Sequence, residues 1–108
     1  MSLPPYVQLV HDVARQIPPG RVTTYGAIAD FLTLGSARMV GRAMSLSFAE
    51  DGVPAHRVVN ARGELSGRGH FRPPEAMQQQ LEDEGVAVEN HRVRDFSALF
   101  WSPEEIPQ

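Results

Sequence analysis

Apolar residues at Tyr6, Leu9, Val10, Val13 and Ile17 follow one another at spacings of three and four, which places them on one stripe of a helix. Pro4 and Pro5 suit its first turn, and Pro18, Pro19 and Gly20 stop it after about Gln16. Arg21 and Val22 then read as a short extended piece. Thr24 is placed to cap a helix over residues 25–32, whose apolar face is Ala27, Ile28 and Phe31. Gly35 marks a tight turn, and Ser36 caps a third helix over residues 37–46. Two short helices around a Gly-containing turn are the pattern of a helix-turn-helix.

Residues 49–54 read as loop. The run from His56 to Val59 predicts a short buried strand that turns back through Asn60, Ala61, Arg62 and Gly63 into Glu64 and Leu65, a wing-like hairpin. Residues 66–70 are Gly-rich and irregular. Pro73 and Pro74 open a helix reaching Glu84, with Gly85 as its left-handed terminator. Small strands are expected over residues 86–88 and 92–96, and residues from about 103 to 108 are expected to fray. The pattern as a whole predicts one α+β domain over residues 1–108, with a helix-turn-helix, winged-helix-like core.

Composition narrows this picture. A chain of 108 residues with 42% hydrophobic and 21% charged side chains is the size and make-up of one folded domain. No run approaches the roughly 18 apolar residues of a membrane span, and no leader pattern opens the chain. The expectation is a soluble monomer of the cytoplasm, nucleoid-associated in a bacterium or nuclear in a eukaryote. A net charge of -3 argues against a nucleic-acid binder that works by bulk attraction. Distribution matters more than the sum: every one of the 10 basic residues is Arg, whose planar fork can pair with phosphate or stack on a base. Genomic base composition is an equally sufficient cause of that bias. There are no cysteines, which removes disulfides, thiolate metal sites and cysteine nucleophiles together.

Two segments could carry chemistry. His56 and Arg57 form a polar pair inside the apolar run from Val53 to Val59, read either as a functional pair or as a satisfied core histidine beside a surface arginine. His11, His70 and His91 lack metal-like spacing to His56 or to one another, so no metal is expected. No G-x-S-x-G elbow is present for serine chemistry. Arg38 lies in the first turn of the third helix and Arg42 one turn later, on the same face, while Met39, Val40, Ala43 and Met44 can point inward. A plain amphipathic helix with a solvated Arg face would read the same way.

Taken together, Ile17-Pro18-Pro19-Gly20-Arg21-Val22-Thr23-Thr24-Tyr25-Gly26, Ala37-Arg38-Met39-Val40-Gly41-Arg42-Ala43-Met44, Pro54-Ala55-His56-Arg57-Val58-Val59 and Glu82-Asp83-Glu84-Gly85 resemble, in order and over nearly the whole chain, the O6-alkylguanine-DNA alkyltransferases. The resemblance is closer to their non-enzymatic branch, the alkyltransferase-like proteins. The enzymes' motif reads Pro-Cys-His-Arg-Val, and its Cys accepts the alkyl group; this chain has Ala55 there, and an alanine methyl is no nucleophile. The resemblance implies a helix-turn-helix in the minor groove of duplex DNA and a pocket for a flipped O6-alkylguanine, with no cofactor. It assigns Arg38 as the finger filling the gap in the stack and Tyr25 as the ring that crowds the target phosphate, with Thr24, Ser36 and Arg42 on the DNA surface. The pocket it implies comprises Tyr25, Pro54, Ala55, His56, Val58, Arg68 and Glu84. His56 and Glu84 match the last members of the enzymes' Cys, water, His, Glu relay and are left as a buttress. Ser47 replaces a supporting Asn of the enzymes. The implied output is to flag the lesion for nucleotide excision repair proteins. The alternatives are an alkyltransferase domain inactivated at Ala55, and a sequence-specific winged-helix regulator with its Arg38 helix in the major groove.

Overall fold

The computed structural model describes residues 3–107. Helix α1, Pro5–Arg15, starts with proline in its first turn and buries Val7, Val10, His11, Val13 and Ala14. The chain then crosses to strand β1, Thr23–Thr24, and enters helix α2, Tyr25–Phe31. Thr24 caps α2 as its sequence position predicts: its hydroxyl accepts from the Ala27 amide at 3.0 Å. Helix α3, Ala37–Ser45, buries Val40, Ala43 and Met44. Ser36 occupies the N-cap position of α3, but its hydroxyl makes no capping bond.

The turn between α2 and α3 contains Gly35, but its left-handed residue lies earlier. Thr33, not Gly35, takes the left-handed conformation, with φ of 53°. It stands at the position after the α2 cap, where the Thr33 amide donates to Asp30 and the Leu34 amide donates to Ala29. Glycine dominates that position because a Cβ in the left-handed region costs about 1–2 kcal/mol. Thr33→Gly is therefore expected to stabilise the fold by about 1 kcal/mol, net of glycine's greater entropy when unfolded, and to raise Tm by roughly 5 °C in a thermal melt.

The expected wing at residues 56–65 is corrected. Ala55–Arg57 is a 3-10 turn, and the strand that follows, β2 (Val58–Val59), pairs in parallel with β1, Thr23 against Val58 and Thr24 against Val59. Asn60 and Gly63 do close a turn, and the Asn60 amide donates to the Glu64 carbonyl at 3.1 Å, but beyond that pair the chain lies beside residues 91–92 rather than along β2. Helix α4, Ala76–Asp83, begins later than Pro73, and Gly85 terminates it at φ of 87° as expected. The hairpin of the molecule lies further on: β3 (Val88–Glu89) and β4 (Arg92–Val93) are antiparallel, joined by Asn90 and His91, both with positive φ. The strand expected over residues 92–96 ends at Val93, and Phe96 instead opens the short helix α5, Phe96–Leu99.

Strand β2 separates two cores. Because side chains alternate along a strand, Val58 joins the core of Val7, Val10, Ile28, Val40 and Trp101, while Val59 joins that of Val22, Leu65, Met77, Leu81 and Val93. Of the tail expected to fray, residues 103–105 instead form a turn. The Trp101 amide donates to Val22 at 2.7 Å, Pro103 is buried, and Ser102 closes a capping box over the turn Pro103–Glu105. Arg21 holds this segment through the carbonyls of Leu99 and Phe100 and the carboxylate of Glu105. Gln108 lies outside the described residues. No helix among the described residues is long and apolar enough to cross a membrane.

Candidate nucleic-acid interface

Parallel pairing of β1 with β2 brings the start of α2 beside the 3-10 turn that carries Ala55. Helix α3 packs across α2, and between these elements and residues 66–71 lies a groove of about 570 Å³. Tyr25, Arg38, Arg42 and Ala55, chosen from sequence on separate segments, all line it. So do Gly41, Met44, Phe48, Ser66, Gly67, His70 and Phe71. Gly41 leaves open space beside its backbone. Arg38 and Arg42 are exposed, and neither side chain has a hydrogen bond or ion pair among the described residues. Two free guanidinium groups therefore stand one helical turn apart over an apolar-floored cleft, an arrangement suited to phosphate and base contact.

Tyr25 is half-buried in the groove wall. Burial raises its phenol pKa above the ordinary value, against a smaller lowering by the Ser66 side chain, so the hydroxyl stays protonated and can donate. Its oxygen lies so close to Gly67 that a Cβ there would approach it to 2.7 Å. Gly67→Ala is thus expected to push the ring from its seat. We expect a loss of groove binding several-fold or more with a melting temperature within a few degrees of wild type, read by DNA titration beside a thermal melt; unchanged affinity would mean that the ring position is unimportant.

Behind Ala55 stands a charged cluster that does not line the groove. His56 is buried, and its Nε2 lies 2.8 Å from Glu84 Oε2. Arg57 grips the same carboxylate through Nε and Nη2, and its Nη1 donates to the Ile17 carbonyl at 2.8 Å. The Gly20 amide donates to Glu84 Oε1 at 3.1 Å. Burial pushes the Glu84 carboxyl up, but the combined hydrogen bonds from Arg57, His56 and Gly20 outweigh it and hold the pKa at about 2. His56 is shifted down by burial, more than Glu84 raises it, so the ring is neutral at pH 7 and donates its Nε2 proton to the carboxylate. The buttress of His56 and Glu84 thus exists, and the surface reading of Arg57 is corrected: it is half-buried and completes the clamp.

The remaining sequence candidates are dispersed. Pro54 is half-buried beside Ala55, and Val58 is fully buried in β2; neither lines the groove. Arg68 is half-buried, outside the lining, with Nη1 donating to the Leu65 carbonyl at 3.1 Å. Ser47 is buried and donates to the Met44 carbonyl at 2.6 Å. Phe48 was missed by the sequence reading; it is half exposed at the groove and meets Phe71 edge-on at 4.9 Å. A large aromatic between two polar stretches was its only signal. Among the described residues no group of three His, Asp or Glu could hold a metal ion.

Comparison with known proteins settles the ancestry of this architecture. The model of the 6-O-methylguanine DNA methyltransferase DNA-binding domain matches residues 5–86. The chain belongs to this family. Within it, the chain is 39% identical over 89 residues to alkyltransferase-like protein 1 of Schizosaccharomyces pombe, covering 82% of each. It is 40% identical over 77 residues to a DNA base-flipping protein of Vibrio parahaemolyticus, covering 70% of this chain and 75% of that one. The crystal structure of the S. pombe protein in complex with damaged DNA containing O6-carboxymethylguanine superposes with a TM-score of 0.80 at 34% identity, over 95% of this chain and all of that one. The α+β fold and the alkyltransferase-like kinship expected from sequence both stand. A family defined by a methyltransferase is represented here by a chain with no thiol anywhere.

Proposed function

We propose that the protein binds duplex DNA containing O6-alkylguanine, turns the damaged nucleotide out of the stack into the groove, and leaves the alkyl group on the base. The observation that carries this reading is the convergence of Tyr25, Arg38 and Ala55 on one groove in a chain without cysteine. One relative named for base flipping and another solved on damaged DNA support the DNA half of it. Extruding a nucleotide costs a few kcal/mol, and a side chain filling the gap offsets part of that. Arg38 is suited to this task, being exposed, unpaired and in the first turn of α3. Tyr25, protonated and fixed by Gly67, crowds the target nucleotide and can donate to it. Arg42, Thr24 and Ser36 face the phosphates. Ala55 meets the base in the groove, Pro54, Val58 and Arg68 lie next to that lining without forming it, and His56 and Glu84 buttress it from behind. Without a nucleophile the complex persists, which suits a protein that acts as a monomer to flag the lesion for nucleotide excision repair, in the cytoplasm or wherever the genome lies.

The test is a titration of short duplexes with and without one O6-methylguanine at stated salt, followed by mass spectrometry of the DNA after long incubation. Preferential binding of the modified duplex with the methyl group intact is expected. Methyl loss from the base, or equal affinity for both duplexes, would refute the reading.

A further inference from the structure

A second depression shares no lining residue with the groove. A cleft of about 510 Å³ lies between α1, the end of α2 and residues 106–107, with Leu9, Val13, Phe31 and Leu32 in its walls. Through Phe31 it adjoins a smaller cleft of about 230 Å³ between α2 and the turn at Pro103–Glu105. Leu9 is 51% and Phe31 37% exposed, so two large apolar side chains of one cleft are left in water. The two share one cleft, so they form a small contiguous apolar surface rather than scattered exposed side chains.

The charge here has one sign. Asp12, Asp30 and Glu104 line the two clefts, and no Arg or His does. Asp12 is engaged by Gln8 and Arg15. The carboxylates of Asp30 and Glu104 are exposed, with no hydrogen bond or ion pair among the described residues. These acids repel a phosphate backbone, which excludes the clefts from a DNA surface, and they attract a cationic partner.

We infer that the joined clefts dock a basic amphipathic segment of a second protein, its apolar side chains entering beside Leu9 and Phe31 and its Lys or Arg side chains meeting Asp30 and Glu104. The mode is that of an amphipathic helix laid in a groove. The inference rests on the reading that the DNA-bound protein passes the lesion to another protein, since it supplies a surface for that step apart from the groove.

Two synthetic helical peptides with the same leucine face, one carrying lysines and one glutamates, are titrated into the isotope-labelled full chain and followed by NMR. The lysine peptide is expected to shift the amides of Leu9, Val13, Phe31 and Leu32 and to spare those of Tyr25, Arg38 and Gly41; the glutamate peptide should do neither. Asp30→Lys combined with Glu104→Lys, and separately Phe31→Ser, should weaken the lysine peptide about tenfold, a difference of 1.4 kcal/mol. Phe31→Ser should keep the affinity for methylated duplex within about twofold. Absence of binding up to about 1 mM, shifts confined to another face, or equal binding of both peptides would overturn the inference. So would concentration-dependent shifts of the same amides without peptide, which would make a second copy the occupant. Loss of lesion preference in the wild type with peptide binding intact would sink the DNA reading alone; the reverse would sink only the docking surface.

Discussion

Arg38→Ala is expected to lower affinity for a duplex carrying one O6-methylguanine by about 10- to 100-fold, against a few-fold for Arg42→Ala at the same ionic strength. Both side chains are exposed on α3 and unpaired within the chain, so neither substitution removes a contact that holds the fold. What separates them is where the guanidinium would sit in the complex. A group inside the duplex replaces base stacking worth about 1–3 kcal/mol, whereas a phosphate contact contributes mainly through released counterions. Arg42→Ala should accordingly flatten the dependence of log affinity on log salt by about one contact and leave the preference for the lesion intact. Arg38→Ala should erode that preference. Fluorescence anisotropy at three salt concentrations, on modified and unmodified duplexes, reads both quantities, and equal losses for the two variants would take Arg38 out of the stack.

The second large effect is on stability. Removing one partner of a buried ion pair costs about 3–5 kcal/mol, and because Glu84 is partly exposed and keeps His56 and the Gly20 amide, Arg57→Ala should cost at the low end, about 3 kcal/mol, and lower Tm by roughly 10–15 °C. The same cluster sets the acid limit. Glu84 has its pKa lowered from 4.5 to about 2 in the folded chain, so its contribution is complete above the unfolded value and disappears as pH falls from about 4.5 towards 2. The linkage amounts to about 3 kcal/mol. His56 adds in the same direction, because its lowered pKa favours the neutral ring in the fold and that advantage fades as pH drops below the ordinary histidine value of 6.5. Thermal melts of wild type and Glu84→Gln from pH 7 to pH 2 should converge at the acid end. A constant gap between the curves would show that the carboxylate's charge is not what stabilises the cluster.

Local signals in the sequence were read well where a short segment decides its own conformation. The stripe of α1, the Thr24 cap and the Gly85 terminator each depend on residues within a turn or two. Strand β2 does not: two residues have no period, and its partner β1 lies 35 positions earlier, so a turn at Asn60 to Gly63 alone suggested the wrong neighbour. For the same reason Arg57 looked like a surface residue, since its carboxylate partner comes from the end of α4. Tyr25, Arg38 and Ala55 could be picked out because the family resemblance spans all three segments, whereas Phe48, Gly67 and Phe71 enter the groove only once the chain is folded.

The seam at Val22 bears on the order in which the molecule can be made. Trp101 fills a core whose other walls come from α1, α2, α3 and Val58, and it is anchored by its amide to the Val22 carbonyl. During synthesis from the N-terminus, α1, α2 and the α3 helix that carries Arg38 and Arg42 emerge long before the indole that closes their core. Those helices are expected to remain an open half-shell until residue 101 has been added, so a nascent chain stalled at residue 95 should be sensitive to protease throughout α1 to α3. Protection should appear in one step once the tryptophan is released, which makes the last aromatic of the chain the gate to a competent DNA-binding surface.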